Sequence, residues 1–288
     1  MTAGPVRRLD AAALTAAVNE TSELGLTFLG PARGGNVGAG YVTDREGRRG
    51  VLTWQPGTPA ARHRQVAELV EVARTRGVPA PRYQHVLQVG DDVAVVQELL
   101  PGAAPDDLSP DLVHQLIELN RRLRGALTDR PGVPAAELHL TSSGPGFCLH
   151  ETLLIHSRRT RRLLDQVREV GAVTPPAMAG HDLVHLDYQP ANVLVDGAGR
   201  VSGVVDWDGT ARGDGDLDLV TLCFGLHTAA ASPTAADQLE HLLRTGVEPD
   251  RLRAYWAHMS LRLVDWAIRH HGPEDVDRWL ALAARGLG

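Results

Sequence analysis

The chain predicts an α+β fold, a strand-rich first third followed by a mainly helical remainder. Three observations carry this. Short apolar runs separated by turn signals fill residues 24–100, helical spacing of apolar positions dominates from residue 110 onward, and a single β-hairpin at 192–206 interrupts the helices. The stretch "PGAAPDD" at 101–107 marks the change of character. The expected organisation is therefore residues 1–100 as an antiparallel-sheet lobe and 101–288 as a helical lobe that carries the hairpin.

Residues 10–19 are alanine-rich and helix-compatible, and "LGLTFLG" ending at Gly30 has the apolar character of a strand. A loop, "PARGGNVGAG", leads to "YVT", a polar turn "DREGRRG" and the strand-like "VLTWQP". Residues 59–76 place Val66, Leu69, Val70 and Ala73 at helical spacing and stop at Gly77, with Pro79 just beyond. "YQHVLQVG" and "VAVVQELL" read as two strands around an Asp-Asp turn. Helices are expected at 110–127, 150–170, 214–229, 235–245, 249–271 and 273–285, with loops at 128–147 and 172–180.

Composition narrows the function. The 288 residues carry a net charge of −6, which argues against a nucleic-acid footprint and is mildly favourable to a cationic ligand. No apolar run approaches the ~20 residues of a membrane span, and "MTAGPVRRLD" lacks the apolar core of a secretory signal. Cys148 and Cys223 offer neither a disulfide framework nor paired metal spacing, so a reducing cytoplasm is the expected setting. There is no lysine anywhere; every basic side chain apart from histidine is arginine. That excludes a Walker-type phosphate loop, and no G-x-S-x-G elbow is present. "GGNVGAG" is not G-x-G-x-x-G and leads into a strand, which counts against a dinucleotide fold. "RHH" at 269–271 ends a helix before Gly272-Pro273 and reads as capping.

The informative stretch is "HLDYQPANVLVDGAGRVSGVVDWD", residues 185–208. "DGAG" turns the chain between two β-branched runs, so Asn192 and Asp206 are expected at the open mouth of one hairpin. An amide oxygen and a carboxylate are hard donors of the kind Mg²⁺ takes when it shares its shell with phosphates. Asp187, five residues before Asn192, is a carboxylate that can take a proton from an attacking hydroxyl. Each residue alone also has an ordinary role: a turn cap for Asn192 or Asp206, a packed core imidazole for His185, a solvated or capping carboxylate for Asp208. The ordered set H-x-D-x-x-x-x-N, strand, turn, strand, D is far more specific than its parts.

That segment closely resembles the catalytic stretch of the aminoglycoside phosphotransferase family, small-molecule kinases with a two-lobed protein-kinase-like fold. "GDGDLDL" at 213–219, "GGNVGAGYV", "GVPAPR" and "VVQELLPG" extend the resemblance over about residues 25–225. The resemblance implies an ATP-dependent O-phosphotransferase acting on a hydroxyl of a small molecule such as an antibiotic. It implies Asp187 as catalytic base, Asn192 and Asp206 as Mg²⁺ ligands, and His185 and Asp218 as structural supports of the catalytic loop. Gly34, Gly35 and Asn36 of the phosphate loop, Thr53, and the backbone of Gln97, Glu98 and Leu99 would meet the nucleotide. Thr53 stands where the family has a lysine, and Gln65 or Glu68 lies near the position of its glutamate partner; Arg33, Arg48 and Arg49 are the candidate replacement cations. The acids of the last helical segment (Asp237, Glu240, Asp265, Glu274, Asp275, Asp277) are matched by a similar number of arginines, which gives no strong mark of an aminoglycoside site. Two further readings stay open: a nucleotide-binding protein with little transferase activity, and a kinase acting on a peptide Ser or Thr hydroxyl.

Overall fold

The apolar alternation of residues 27–98 folds into five antiparallel strands in the computed structural model, which describes residues 9–32, 38–227 and 233–287. The strands are β1 (Thr27–Pro31), β2 (Gly40–Thr43), β3 (Arg49–Gln55), β4 (Tyr83–Val89) and β5 (Asp92–Glu98), in the order β1-β2-β3-β5-β4. β3 is central, with Leu52 opposite Val96 and Thr53 opposite Val95. Alternation sends Leu52, Trp54, Ala94 and Val96 to one face, where they pack on Leu14 and Val18 of helix α1 (Ala11–Thr21). Asp10 caps that helix by accepting from the Ala13 amide at 3.0 Å. The opposite face puts Val93 and Val95 against Ala60, at the start of helix α2 (Ala60–Thr75). The turn between β4 and β5 is Gly90-Asp91 rather than the Asp-Asp pair, because Val89 pairs with Asp92 and Gly90 takes a φ of 60°.

These elements form one compact unit spanning Met1–Ala103, and the hairpin of β7 (Val193–Val195) and β8 (Val201–Val204), with the residues through Asp208, belongs to it. The contiguous division at residue 100 assigns that hairpin to the helical part. Ala103 and Val195 exchange both backbone hydrogen bonds (3.1 and 2.8 Å), and the Ser202 hydroxyl donates to Pro101 O at 2.7 Å. Gly102 is required there: its φ is 109°, and a Cβ would sit 2.6 Å from Val195 O.

The second unit comprises Ala104–Asn192 and Gly209–Gly288. Its helices are α3 (Pro110–Arg122), α4 (His150–His156), α5 (Arg158–Gly171), α6 (Asp216–Leu226), α7 (Pro233–Gly246), α8 (Pro249–His270) and α9 (Pro273–Leu287). The single helix expected over 150–170 is two. Ser157 is extended, and its hydroxyl accepts from Thr160 N at 3.1 Å while Thr160 Oγ1 accepts from Ser157 N at 3.1 Å. This reciprocal cap starts a new helix. Among the described residues the hairpin is also not the sole strand pair outside the large sheet. β6 (Asp182–Val184) pairs with β9 (Ala211–Gly213), each three residues long and too short for alternation to reveal. The core gathers Trp256, with Phe224 at 4.8 Å between ring centroids and Trp279 stacked on Phe224 at 6.1 Å. Full burial of side chains of this size stabilises by about 1.5–3 kcal/mol each. No described helix is long and apolar enough to cross a membrane.

Candidate active site

In the second unit, β6 delivers the chain to His185, and a buried carboxylate fixes the course of the backbone there. Asp218, in the first turn of α6, accepts the backbone amides of His185 at 2.7 Å and Leu186 at 2.9 Å. This is the role the resemblance implied for it. Burial pushes its carboxyl up to about 7, against the two amide donors that favour the charged form. Between these bonds and Arg262, which donates to Leu186 O, Leu186 is held at a φ of 65°. A left-handed leucine costs about 1–2 kcal/mol and persists only where its neighbours hold it. The buried His185 ring accepts from Asp187 N through Nδ1 at 3.2 Å, so it orients the loop as a structural residue.

Asp187 is half-buried, and three side chains donate to it. Asn192 Nδ2 reaches Oδ2 at 2.8 Å, Gln189 Nε2 reaches Oδ2 at 3.0 Å, and Arg262 Nη2 of α8 reaches Oδ1 at 2.7 Å. Pro190 starts a 3₁₀ turn, Pro190–Asn192, that presents Asn192 to the loop. The Asn192 amide nitrogen also donates to Asp187 O at 2.9 Å. With its nitrogen spent on Asp187, Asn192 keeps its carbonyl oxygen on the opposite side of the amide.

In the first unit, Val193 pairs with Val204, so the hairpin opens at the end expected from its turn signal. Asp206 is exposed and adopts a φ of 65°, a conformation that aspartate tolerates better than most residues. Trp207 is fully buried and donates from Nε1 to Val204 O at 2.8 Å, anchoring the segment between the two acids. Asp208 accepts from Gln55 Nε2 of β3 and from the Tyr83 hydroxyl of β4 at 3.2 Å, with His63 Nδ1 of α2 at 3.9 Å. Burial raises the Asp208 carboxyl and lowers the His63 imidazole, each effect partly offset by the other group. The charge of Arg62 is felt at both Asp208 and Tyr83, and Arg62 also donates to Gln65 Oε1 at 3.3 Å.

The other expected site residues divide by position. Gly34, Gly35, Asn36 and Arg33 lie outside the described residues. Thr53 lies on β3 opposite Val95, its hydroxyl oxygen enclosed and without a hydrogen-bond partner among the described residues. The Glu98 amide already donates to Arg82 O at 2.8 Å, and its carboxylate accepts from Arg74 and from Arg82 N, so this amide is not open to a base. Gln97 is buried on β5 opposite Val51, and Leu99 follows the strand half-buried. Arg48 pairs at the surface with Asp44 at 2.7 Å and Glu46 at 3.2 Å, and Arg49 opens β3, exposed. At the "RHH" end, Arg269 pairs with Asp265 and the His271 amide closes α8 on Ala267 O, as capping requires. Arg62 and Arg262 are not legible in the sequence, because nothing in local spacing links them to residues 187–208. Among the described residues, one cluster of metal-ligand type, Cys223, His227 and Glu240, has its donor atoms within 4.8 Å of one another. Glu240 is already paired with Arg244 and Arg285, and burial pushes the Cys223 thiol up to about 12, so this cluster reads as a neutralised buried carboxylate.

A five-stranded antiparallel sheet joined to a helical part, with a carboxylate loop and an Asp-Trp-Asp segment, defines a kinase-like phosphotransferase. The profile of the phosphotransferase enzyme family matches residues 39–255, and the chain belongs to that family. No curated protein is a significant match by sequence. Among solved structures, aminoglycoside phosphotransferase APH(4)-Ia superposes with a TM-score of 0.66 at 17% identity, covering 96% of this chain and 100% of that one. A thermostable mutant of the same enzyme, in ternary complex with AMP-PNP and hygromycin B, gives 0.64 at 16% identity over 95% and 97%. The macrolide 2′-phosphotransferase MphH from Brachybacterium faecium gives 0.55 at 18% identity over 96% and 98%. At these identities the likeness concerns the fold.

Proposed function

We propose that this protein transfers the terminal phosphoryl group of ATP to a hydroxyl of a small molecule, with Asp187 as the base. The observation that carries the reading is the Asp187 loop itself: a carboxylate fixed by Asn192, Gln189 and Arg262 on a backbone that Asp218 holds in a strained turn. Strain held in place by a buried acid is what a positioned catalytic group needs, and positioning with electrostatics supplies most of the acceleration in phosphoryl transfer. Asn192 and Asp206 would hold Mg²⁺. The fit rests on chemistry visible here: Asn192 spends its nitrogen on Asp187 and keeps an oxygen, and Asp206 is an exposed carboxylate. Bound there, the ion would neutralise charge on the phosphates. Arg62 of α2 is the cation proposed to replace the family lysine that Thr53 cannot mimic. The solved relatives named above bind AMP-PNP with hygromycin B, or act on macrolides, and another is a complex with GDP and kanamycin. They support a nucleotide co-substrate and an antibiotic-like acceptor, with resistance as the biological role. Two buried free thiols suit a cytoplasmic setting.

The test is nucleotide consumption against a panel of hydroxylated antibiotics and metabolites, with Asp187→Asn beside the native protein. The expected result is a turnover loss of roughly 10²–10⁴-fold with nucleotide affinity largely retained. Normal turnover in D187N sinks the role assignment. The neutral, partnerless Thr53 hydroxyl favours one second reading, a nucleotide-binding protein with little transferase activity. Magnesium-dependent binding without turnover on any acceptor selects it.

A further inference from the structure

The lone pairs of Asp187 are unevenly occupied. Each carboxylate oxygen can accept two hydrogen bonds. Oδ2 takes Asn192 and Gln189 and is full; Oδ1 takes Arg262 alone among the described residues. An incoming hydroxyl therefore has one place to donate, on the oxygen that a guanidinium already holds. Two donors sharing one oxygen lie roughly 4–5 Å apart, so the atoms next to the reacting hydroxyl lie beside Arg262.

This guanidinium is fixed. Nη1 donates to Leu186 O, Nη2 to Asp187, and the Phe147 ring lies 5.6 Å below its carbon. About a quarter of the side chain is exposed (24%), so solvent and ligand can reach it. Its carboxylate partner is Asp187, and the acids of the last helices pair with other arginines. Asp237 and Glu240 pair with Arg285, Asp265 with Arg269, Asp275 with Arg278 and Asp277 with Arg159. Five of the six acids of that segment thus have an arginine partner within 4.0 Å.

Building on the phosphotransfer reading, we infer that Arg262 is a specificity-determining residue and that the acceptor bears an anionic group, a carboxylate or a phosphate, beside its reacting hydroxyl. The anion takes the N–H groups of Arg262 that Leu186 O and Asp187 leave unused, while the hydroxyl takes the open lone pair of Oδ1. An ammonium in the same place finds no acceptor on Arg262 and meets its like charge, offset in part by Asp187.

The experiment uses a matched set on one three-carbon frame: glycerate, glycerol 3-phosphate, glycerol and 3-amino-1,2-propanediol. Binding to the ADP-loaded protein is measured by calorimetry for native, Arg262→Ala and Arg262→Lys proteins, with melting curves to confirm folding. In the native protein at least one of the two anions is expected to bind at least roughly tenfold more tightly than the amine, a partly exposed charge effect. R262A abolishes the difference, and R262K, folded and charged but without the planar fork, keeps part of it. Whichever anion binds tighter identifies the group. Equal affinity for anions and amine, a preference for the amine, or no binding by any of the four overturns the inference. Turnover distinguishes the levels: transfer to kanamycin undiminished in R262A removes this inference and leaves the phosphotransferase standing, whereas no transfer to any acceptor removes both.

Discussion

Replacing Asp218 by asparagine isolates the group that holds the Asp187 loop. The carboxylate is fully buried (0% exposed) and accepts two backbone amides at 2.7 and 2.9 Å. Asparagine keeps the shape but offers one acceptor, so one amide, of His185 or Leu186, faces an NH₂ group instead. A buried amide left without a partner costs about 1–3 kcal/mol, and the left-handed Leu186 loses part of its restraint, another ~1 kcal/mol. The expected loss at pH 8 is about 2–4 kcal/mol, a fall in melting temperature of roughly 4–16 °C for a protein of this size. The gap depends on pH. The Asp218 carboxyl sits at about 7 in the fold and at 3.8 when unperturbed, so the folded state holds a proton that the unfolded chain releases. That contribution is complete below 3.8 and is lost as pH rises through 7. The deficit of D218N should therefore widen as pH falls from 8 toward 5, by up to ~1.4 kcal/mol per unit. Urea unfolding at pH 5, 6, 7 and 8 reads both quantities, and turnover of the folded variant should fall at least ~100-fold through misplacement of Asp187. A midpoint shift under ~0.5 kcal/mol at every pH, with normal turnover, refutes the idea that Asp218 shapes the loop.

Two other perturbations probe different parts. Arg62→Ala should raise the nucleotide KM roughly tenfold with little change in the acceptor KM, as loss of the cation proposed to meet the phosphates predicts; an unchanged nucleotide KM removes Arg62 as the substitute cation. His258 is buried in α8, and burial, with the charge of Arg262 next, pushes its imidazole down to about 3. It stays neutral in the fold while the unfolded chain takes up a proton below 6.5, so stability present above 6.5 is lost as pH falls toward 3. His258→Gln should abolish that acid sensitivity, about 1.4 kcal/mol per pH unit across the window; equal slopes for native and variant in urea titrations between pH 4.5 and 6.5 show that His258 is not the group.

Much of this architecture is legible in the chain because it rests on local signals. Val193–Val195, the Asp-Gly turn and Val201–Val204 announce a hairpin, and Val66, Leu69, Val70 and Ala73 announce the buried stripe of α2. The break at Ser157 is also written locally, as Ser-Arg-Arg-Thr, but it is hard to read because Thr160 replaces the usual glutamate of that cap. β6 and β9 escape for a different reason: three-residue strands 29 positions apart are chosen by tertiary pairing alone. The partners of the candidate site divide along the same line. Gln189 and Asn192 lie beside Asp187 in sequence, whereas Arg262 arrives from 75 positions away on a helix whose spacing records only its own packing. The same holds for the ties of Asp208 to Gln55 and Tyr83, 153 and 125 residues apart.

The hairpin 193–208 belongs to the unit that otherwise ends at Ala103. A ribosome must therefore synthesise some ninety residues of the helical unit before the sheet-bearing unit receives its last two strands. Until then Pro101, Gly102 and Ala103 have no β7 or β8 to bond, so a nascent chain stopped at residue 103 presents an unfinished edge. The order of synthesis thus sets the order of completion, and the Asp-Trp-Asp segment is among the last pieces to reach the first unit.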